Sequence, residues 1–157
     1  MEKRQPRRSG AVAVEFAIAF SALLVFFFAI FEYGRFLMMR HLVVNAAREG
    51  ARQAIVNTST SPAPDIQQTT FSYLAGQSLL NNAGNPLTKA DIQVYRADPA
   101  TGLAMADSKG STWTNAGFGE GIAVKISAKY QPMLPSFGML PNPVPINFTC
   151  VMRSEAN

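Results

Sequence analysis

The chain holds a single cysteine, Cys150, and a single histidine, His41, in 157 residues. One thiol closes no intramolecular disulfide in any compartment. One His and one Cys also exclude a zinc site built on those ligands, and they leave no usable Cys-His dyad because Cys150 falls inside a strand-like stretch. Charged residues make up only 15%, well under the roughly 25% of ordinary domains. The acids Asp91, Asp98, Asp107 and Glu120 are scattered over a loop-rich region, so no catalytic carboxylate pair is expected. No metal or cofactor is expected either. Proline is absent between Pro6 and Pro62, so nothing in that interval forbids one long helix.

What the chain does have is one long apolar run, Ala11 to Phe31, preceded by the basic leader MEKRQPRRSG. As a helix rising about 1.5 Å per residue, the run matches the roughly 30 Å hydrocarbon core of a bilayer. A secretory signal peptide is the rival reading. The run exceeds an h-region of about 7–15 residues, and Glu32-Tyr33-Gly34-Arg35-Phe36 offers no small-x-small cleavage site. Lys3, Arg4, Arg7 and Arg8 lie just before the span, with Glu2 opposing them. Positive charge stays inside, so a cytoplasmic N-terminus and an exported C-terminal portion are expected. The net charge of +4 is therefore largely a matter of topology. The remaining basic residues lack the aromatic interleaving of a nucleic-acid surface, and no nucleic-acid partner is expected.

Glu15 breaks the run near its start. An ionised carboxylate inside hydrocarbon costs a few kcal/mol, so such a group either sits at headgroup level or has a partner. Were the chain cut after Gly10, the new α-amine on Ala11 would be a cation at the tip of the helix, with Glu15 at its fifth position. Between staggered neighbouring helices, such an amine and carboxylate neutralise each other in low dielectric.

The order of basic leader, Gly10, four small or apolar residues, Glu15 and apolar helix resembles the processing site of type IV prepilins. Three further pieces follow in succession: Ala13-Val14-Glu15-Phe16-Ala17, Phe31-Glu32-Tyr33-Gly34-Arg35, and Asn45-Ala46-Ala47-Arg48-Glu49-Gly50-Ala51-Arg52. Together they are similar to the pattern of the TadE-like family, pseudopilins of the tight-adherence (Tad, Flp-type) pilus system. The resemblance covers about the first third of the chain. It departs at Ser21, about where many relatives carry a proline, so the resemblance supplies no kink here. It implies a non-enzymatic minor subunit of the inner membrane, facing the periplasm and cleaved between Gly10 and Ala11 by an aspartic prepilin peptidase. Its implied partners are membrane lipid, other pilin or pseudopilin subunits and the Tad inner-membrane assembly platform. The implied outcome is pilus assembly, and through it surface adhesion or biofilm formation.

The rest of the chain reads as an α+β unit of pilin-like form. The expected divisions are a leader 1–10, a transmembrane helix 11–31, its exported extension 32–56, a linker 57–64 and a periplasmic domain 65–157. The extension places Ala46, Gly50 and Ala54 on one helical line with Ala47 and Ala51 beside them. That face either admits a close neighbour or simply reflects alanine's helix propensity. Asp65 with Gln68 has the form of a capping box opening a second helix to about Leu80, with Phe71, Leu74, Ala75 and Leu79 on one face. Asp91 to Arg96 reads as a short strand and 103–120 as a long loop. Ile122 to Tyr130 and Val144 to Met152 alternate with period two, so a three- or four-stranded antiparallel sheet is expected, with Cys150 on its apolar face. The loop 131–143 carries Met133, Leu134, Phe137, Met139 and Leu140, which either fold under the sheet or meet a partner. GFGEG at 117–121 lacks the spacing of a phosphate loop and reads as a hairpin approach. A second functional class stays open: a signal-anchored periplasmic binding protein unrelated to pili, with Tyr95, Trp113 and Phe118 as candidate contacts.

Overall fold

The computed structural model describes residues 9–58, 63–105, 112–133 and 142–154. The chain divides into two compact units, Met1–Arg35 and Phe36–Asn157. Helix α1 runs from Ser9 to Val56. It has no proline to break it, and it ends where the Asn57 side chain donates to Gln53 O at 2.8 Å and satisfies one of the last carbonyls. Helix α2 is Ile66–Leu74. Four strands follow: β1 Leu79–Leu80, β2 Ile92–Ala97, β3 Gly121–Tyr130 and β4 Val144–Arg153.

The sheet is organised by β3. Its pairing with β4 is antiparallel along its whole length, from Gly121↔Arg153 to Tyr130↔Val144. A strand has two edges, so β2 and β1 must share the other one in tandem. β2 takes residues 121–126 and β1 takes Lys129 and Tyr130. All pairs are antiparallel. The period-two pattern read from the sequence sets the faces: Ile122, Val124, Ile126, Ala128 and Tyr130 are buried on the inner side, while Lys125, Ser127 and Lys129 are only half-buried on the other.

The core of the C-terminal unit lies between this inner face and the last turns of α1. Met39, Val43, Ala46, Ala47, Ala51 and Ala54 are buried in it, at the i, i+3, i+4 spacing of one helix face. Phe36 meets Tyr130 edge-on, with ring centroids 5.8 Å apart. α2 closes the core with Ile66, Thr70 and Leu74.

The second helix is shorter than the sequence suggests. It stops at Leu74; Ala75 is extended and exposed, Gly76 takes φ +81°, and Leu79 joins β1 instead of a helical face. Gly76 is the terminator, because it enters the left-handed region at no steric cost. Asp65 caps α2 by accepting the Gln68 N–H at 2.9 Å. The sequence-derived strand at Asp91 also begins one residue later. Asp91 belongs to a 3-10 turn, where its carboxylate accepts from both the N–H and the hydroxyl of Thr88.

The Asp65 carboxyl is held below the usual carboxylate range, first by the Gln68 N–H and then by Lys89. Removing it by Asp65→Ala is expected to cost about 1 kcal/mol at neutral pH. The folded-state pKa is depressed, so this contribution is present above about pH 4 and is lost as pH falls through the lowered value. Wild type and variant should therefore converge in melting temperature in acid.

Candidate functional site

In the N-terminal unit, every large apolar side chain of the span is exposed to the surroundings of the chain, from Val12 through Phe20 to Phe31. The most apolar window has a mean hydropathy of 2.5 and no part of it is covered by the protein. The helix is thus long and apolar enough to cross a membrane. Thirteen residues of Val, Ile, Leu and Phe lie between Ala11 and Phe31. At roughly 0.3–0.6 kcal/mol each they favour insertion by about 4–8 kcal/mol, against about 3 kcal/mol for one carboxylate at mid-depth and less near the surface. On this balance the helix is apolar enough to insert, with the acid as an opposing cost.

Glu15 stands exposed one turn beyond Ala11. At 100° per residue it shares its helix face with Ala11, Ala19 and Ala22. Small side chains therefore flank the carboxylate on both sides, and a second helix can approach closely there. Phe16 and Phe20 stack on an adjacent face with centroids 5.8 Å apart. The Ser21 hydroxyl donates to Ala17 O at 2.8 Å, a local back-bond within the helix. Gly10 and Ala11, the residues of the expected processing site, are exposed on the first turn of α1.

In the C-terminal unit the alanine face is used within the chain. Ala46, Ala47, Gly50, Ala51 and Ala54 are all buried, and Gly50 lies directly against the Thr70 side chain of α2. The outward face carries Arg48 and Arg52, and Arg52 binds Glu49 through a pair of hydrogen bonds of 2.9 and 2.7 Å. Glu49 has its pKa lowered to about 2, first by the Arg52 guanidinium and then by the Gln53 amide. His41 is exposed on α1.

Cys150 is half-buried on β4, and burial pushes its thiol pKa up, against the opposing charge of Arg48. That is the environment of a packed thiol. Among the described residues, no cluster of His, Cys, Asp and Glu could hold a metal ion. Asp98 serves its own turn, where it accepts from Ala100 N–H and the Thr101 hydroxyl. Asp107 lies outside the described residues, as does most of the apolar loop that follows β3; its first apolar residue, Met133, is exposed.

The aromatics considered as binding contacts do not converge. Tyr95 lines an open cleft of about 510 Å³ with Gln67, Gln93, Leu103 and Lys125. Trp113 lines a different hollow beside Pro64, Asp65 and Ile66. Phe118 projects into solvent at a turn, 74% exposed. The glycine-rich GFGEG stretch is an approach to β3: Gly119 has φ +78°, and a Cβ on Gly121 would press on Ala97 O at 2.5 Å.

An ion pair that sequence reasoning passed over lies at that approach. Arg96 is completely buried on β2, with its Nε 3.4 Å from Glu120 Oε2. The same carboxylate oxygen accepts the Gly117 N–H at 2.9 Å. The signal was available in the phase of β2, where Arg96 follows Ile92 and Val94 on the inward side. A guanidinium in an apolar phase calls for a carboxylate.

Among the described residues, one apolar helix long enough to cross a membrane precedes an α+β unit with a small antiparallel sheet, an architecture of pilin-like form. Residues 10–52 match the family model described as TadE-like protein, which is the resemblance seen in the sequence. That stretch includes Glu15 and the alanine face through Ala51. The similarity lies in the long helix α1 and leaves the sheet unmatched. Comparison with curated proteins and with solved structures finds no match.

Proposed function

We propose that the chain is a TadE-like pseudopilin or minor pilin, a non-enzymatic, membrane-anchored component for assembling a Tad (Flp-type) pilus, and through it for surface adhesion or biofilm formation. The observation that carries this reading is the lone acid Glu15, set among small residues on an uncovered apolar helix inside the segment that matches the family. The basic leader keeps the N-terminus in the cytoplasm, and the C-terminal unit faces the periplasm from the inner membrane. An aspartic prepilin peptidase cuts between Gly10 and Ala11. The new amine of one subunit meets Glu15 of a neighbour, which offsets the cost of the buried acid only when subunits assemble. Other pilin or pseudopilin subunits and the Tad inner-membrane platform are the partners.

Two measurements test this. The membrane-extracted protein, from cells with an active prepilin peptidase, should have the mass of a chain beginning at Ala11. A mass beginning at Met1 removes the processing step. Glu15→Ala should leave membrane insertion unchanged or slightly stronger, because it deletes a cost of up to about 3 kcal/mol. It should nevertheless abolish pilus assembly, and piliation at wild-type level in that variant removes the pairing.

A further inference from the structure

Antiparallel pairing alternates the direction of backbone groups, so every second residue of an edge strand turns its N–H and C=O away from the ladder. On β2 these are Ile92, Val94 and Arg96, because the Gln67 side-chain amide donates to Ile92 O at 2.7 Å and Met105 N–H donates to Arg96 O at 2.9 Å, both from outside the sheet. The Ile92 N–H is used as well, by Lys89 O at the end of the 3-10 turn. Val94 is left between these ties. Among the described residues, neither its outward N–H nor its outward C=O has a hydrogen-bond partner. Val94 is half-buried, and an unmade main-chain bond in such a place is a standing cost that a ligand can remove.

Val94 lines the open cleft of about 510 Å³, a volume within the range of small-molecule sites. The chemistry around it is set by the β2–β3 register. Gln93 and Lys125 are directly opposite each other, and Tyr95 follows two residues on, so all three stand on the outer face of the sheet. Lys125 supplies the only charge among the described lining residues, and its ammonium has no ion pair or hydrogen bond there. The Tyr95 hydroxyl donates to Gly102 O at 3.3 Å, which steadies the ring. Gln67 spends one amide hydrogen on Ile92 O and keeps its carbonyl as an acceptor.

These groups define their ligand by complement. A secondary amide, one donor and one acceptor, satisfies the Val94 pair. A carboxylate answers Lys125. Hydroxyls answer the two carboxamides, and an apolar ring face covers Tyr95. An extended peptide also carries secondary amides, but strand addition uses successive outward residues of an edge. The carbonyls of Ile92 and Arg96 are already bonded, so the opening is one residue wide. It suits a single acetamido group on a compact ring.

We propose that this cleft binds an N-acetylated amino sugar that bears a carboxylate. The acetamido C=O accepts from Val94 N–H, the acetamido N–H donates to Val94 C=O, and the carboxylate pairs with Lys125. The site lies on α2, β2 and β3, outside the family-matched stretch 10–52, and it holds or fails independently of the role of Glu15.

The test uses the full, ¹⁵N-labelled chain in detergent micelles, with N-acetylmuramic acid as the probe because it carries both the acetamido group and a carboxylate. The Val94 amide resonance should move on titration, and its hydrogen exchange should slow by at least about tenfold at saturation. N-acetylglucosamine, which lacks the carboxylate, should bind about tenfold more weakly, and so should N-acetylmuramic acid to Lys125→Met. Lys125→Met should leave the thermal transition and the N-acetylglucosamine affinity unchanged. Glucuronic acid has the carboxylate without the acetamido group and should give the Val94 amide no protection. N-acetyl-dialanine offers the amide and the carboxylate on an extended backbone and should bind at least about tenfold more weakly than the acidic sugar. A Val94 amide that the probe neither shifts nor protects overturns the proposal, as does equal affinity for the two sugars or an undiminished affinity in folded Lys125→Met. Peptide binding as tight as the sugar's would overturn it too, by giving the cleft to an acylated peptide terminus.

Discussion

Glu120→Ala is expected to destabilise the C-terminal unit by about 3–5 kcal/mol, the range for removing one partner of a buried ion pair. The asymmetry of the pair sets this size. Arg96 is wholly enclosed, whereas the side chain of Glu120 keeps about a quarter of its surface exposed. Losing the carboxylate therefore leaves the deeper of the two charges without its nearby counter-charge. The position also ties several segments together. Glu120 O accepts Ser154 N–H beyond the end of β4, its carboxylate accepts Gly117 N–H, and Arg96 O accepts Met105 N–H. Loosening it should fray that end of the sheet first. Urea unfolding of the full chain in micelles, followed by the fluorescence of Trp113, measures the loss. The double change Arg96→Met with Glu120→Gln should recover most of it, because it removes both charges and keeps volume. A cost below about 1 kcal/mol for Glu120→Ala alone would mean that water reaches the guanidinium and that the burial argument fails.

That ion pair also marks where the sequence stopped being legible. The long elements were readable because their periodicity extends over many residues. Ala11 to Phe31 is apolar but for Glu15 and Ser21, Ile122 to Tyr130 and Val144 to Met152 alternate cleanly, and the helix of α1 and the strands β3 and β4 follow. Short elements carry no such redundancy. β1 is two leucines, Leu79 and Leu80, which fit a helical face as well as a strand until Gly76 ends α2. The tandem use of one β3 edge by β2 and β1 depends on register, which no local pattern encodes. The candidate site divides in the same way. Glu15 announces itself as an acid in an apolar run. The α-amine pairing proposed for it rests on assembly, which no single chain displays. The alanine face of α1 was visible as small residues at helical spacing, but its occupant depends on tertiary placement. In the fold those residues are buried in the chain's own core, with Thr70 of α2 against Gly50.

Gly50→Ala is expected to lower the stability of the C-terminal unit by about 1–3 kcal/mol, even though alanine is the better helix former by about 1 kcal/mol. A methyl group at Gly50 would collide with the Thr70 hydroxyl oxygen, and it would stand 3.3 Å from Thr70 Cβ. Thr70 cannot simply turn away. It is fully buried, and its hydroxyl donates to Ile66 O at 2.8 Å, so rotation would strand a polar group in the core at a cost of about 1–3 kcal/mol. The remaining response is a shift of α2 off α1, which opens the core around Ile66 and Leu74. Thr70→Ala in the same chain removes the obstructing atoms, so the double variant should regain the loss and can exceed the parent by the propensity gain. Thr70→Ser retains the oxygen and should give no rescue. Thermal melts of the four proteins form a double-mutant cycle with a coupling energy of about 1–3 kcal/mol. Independent, additive effects would show that α2 does not seat against this turn of α1.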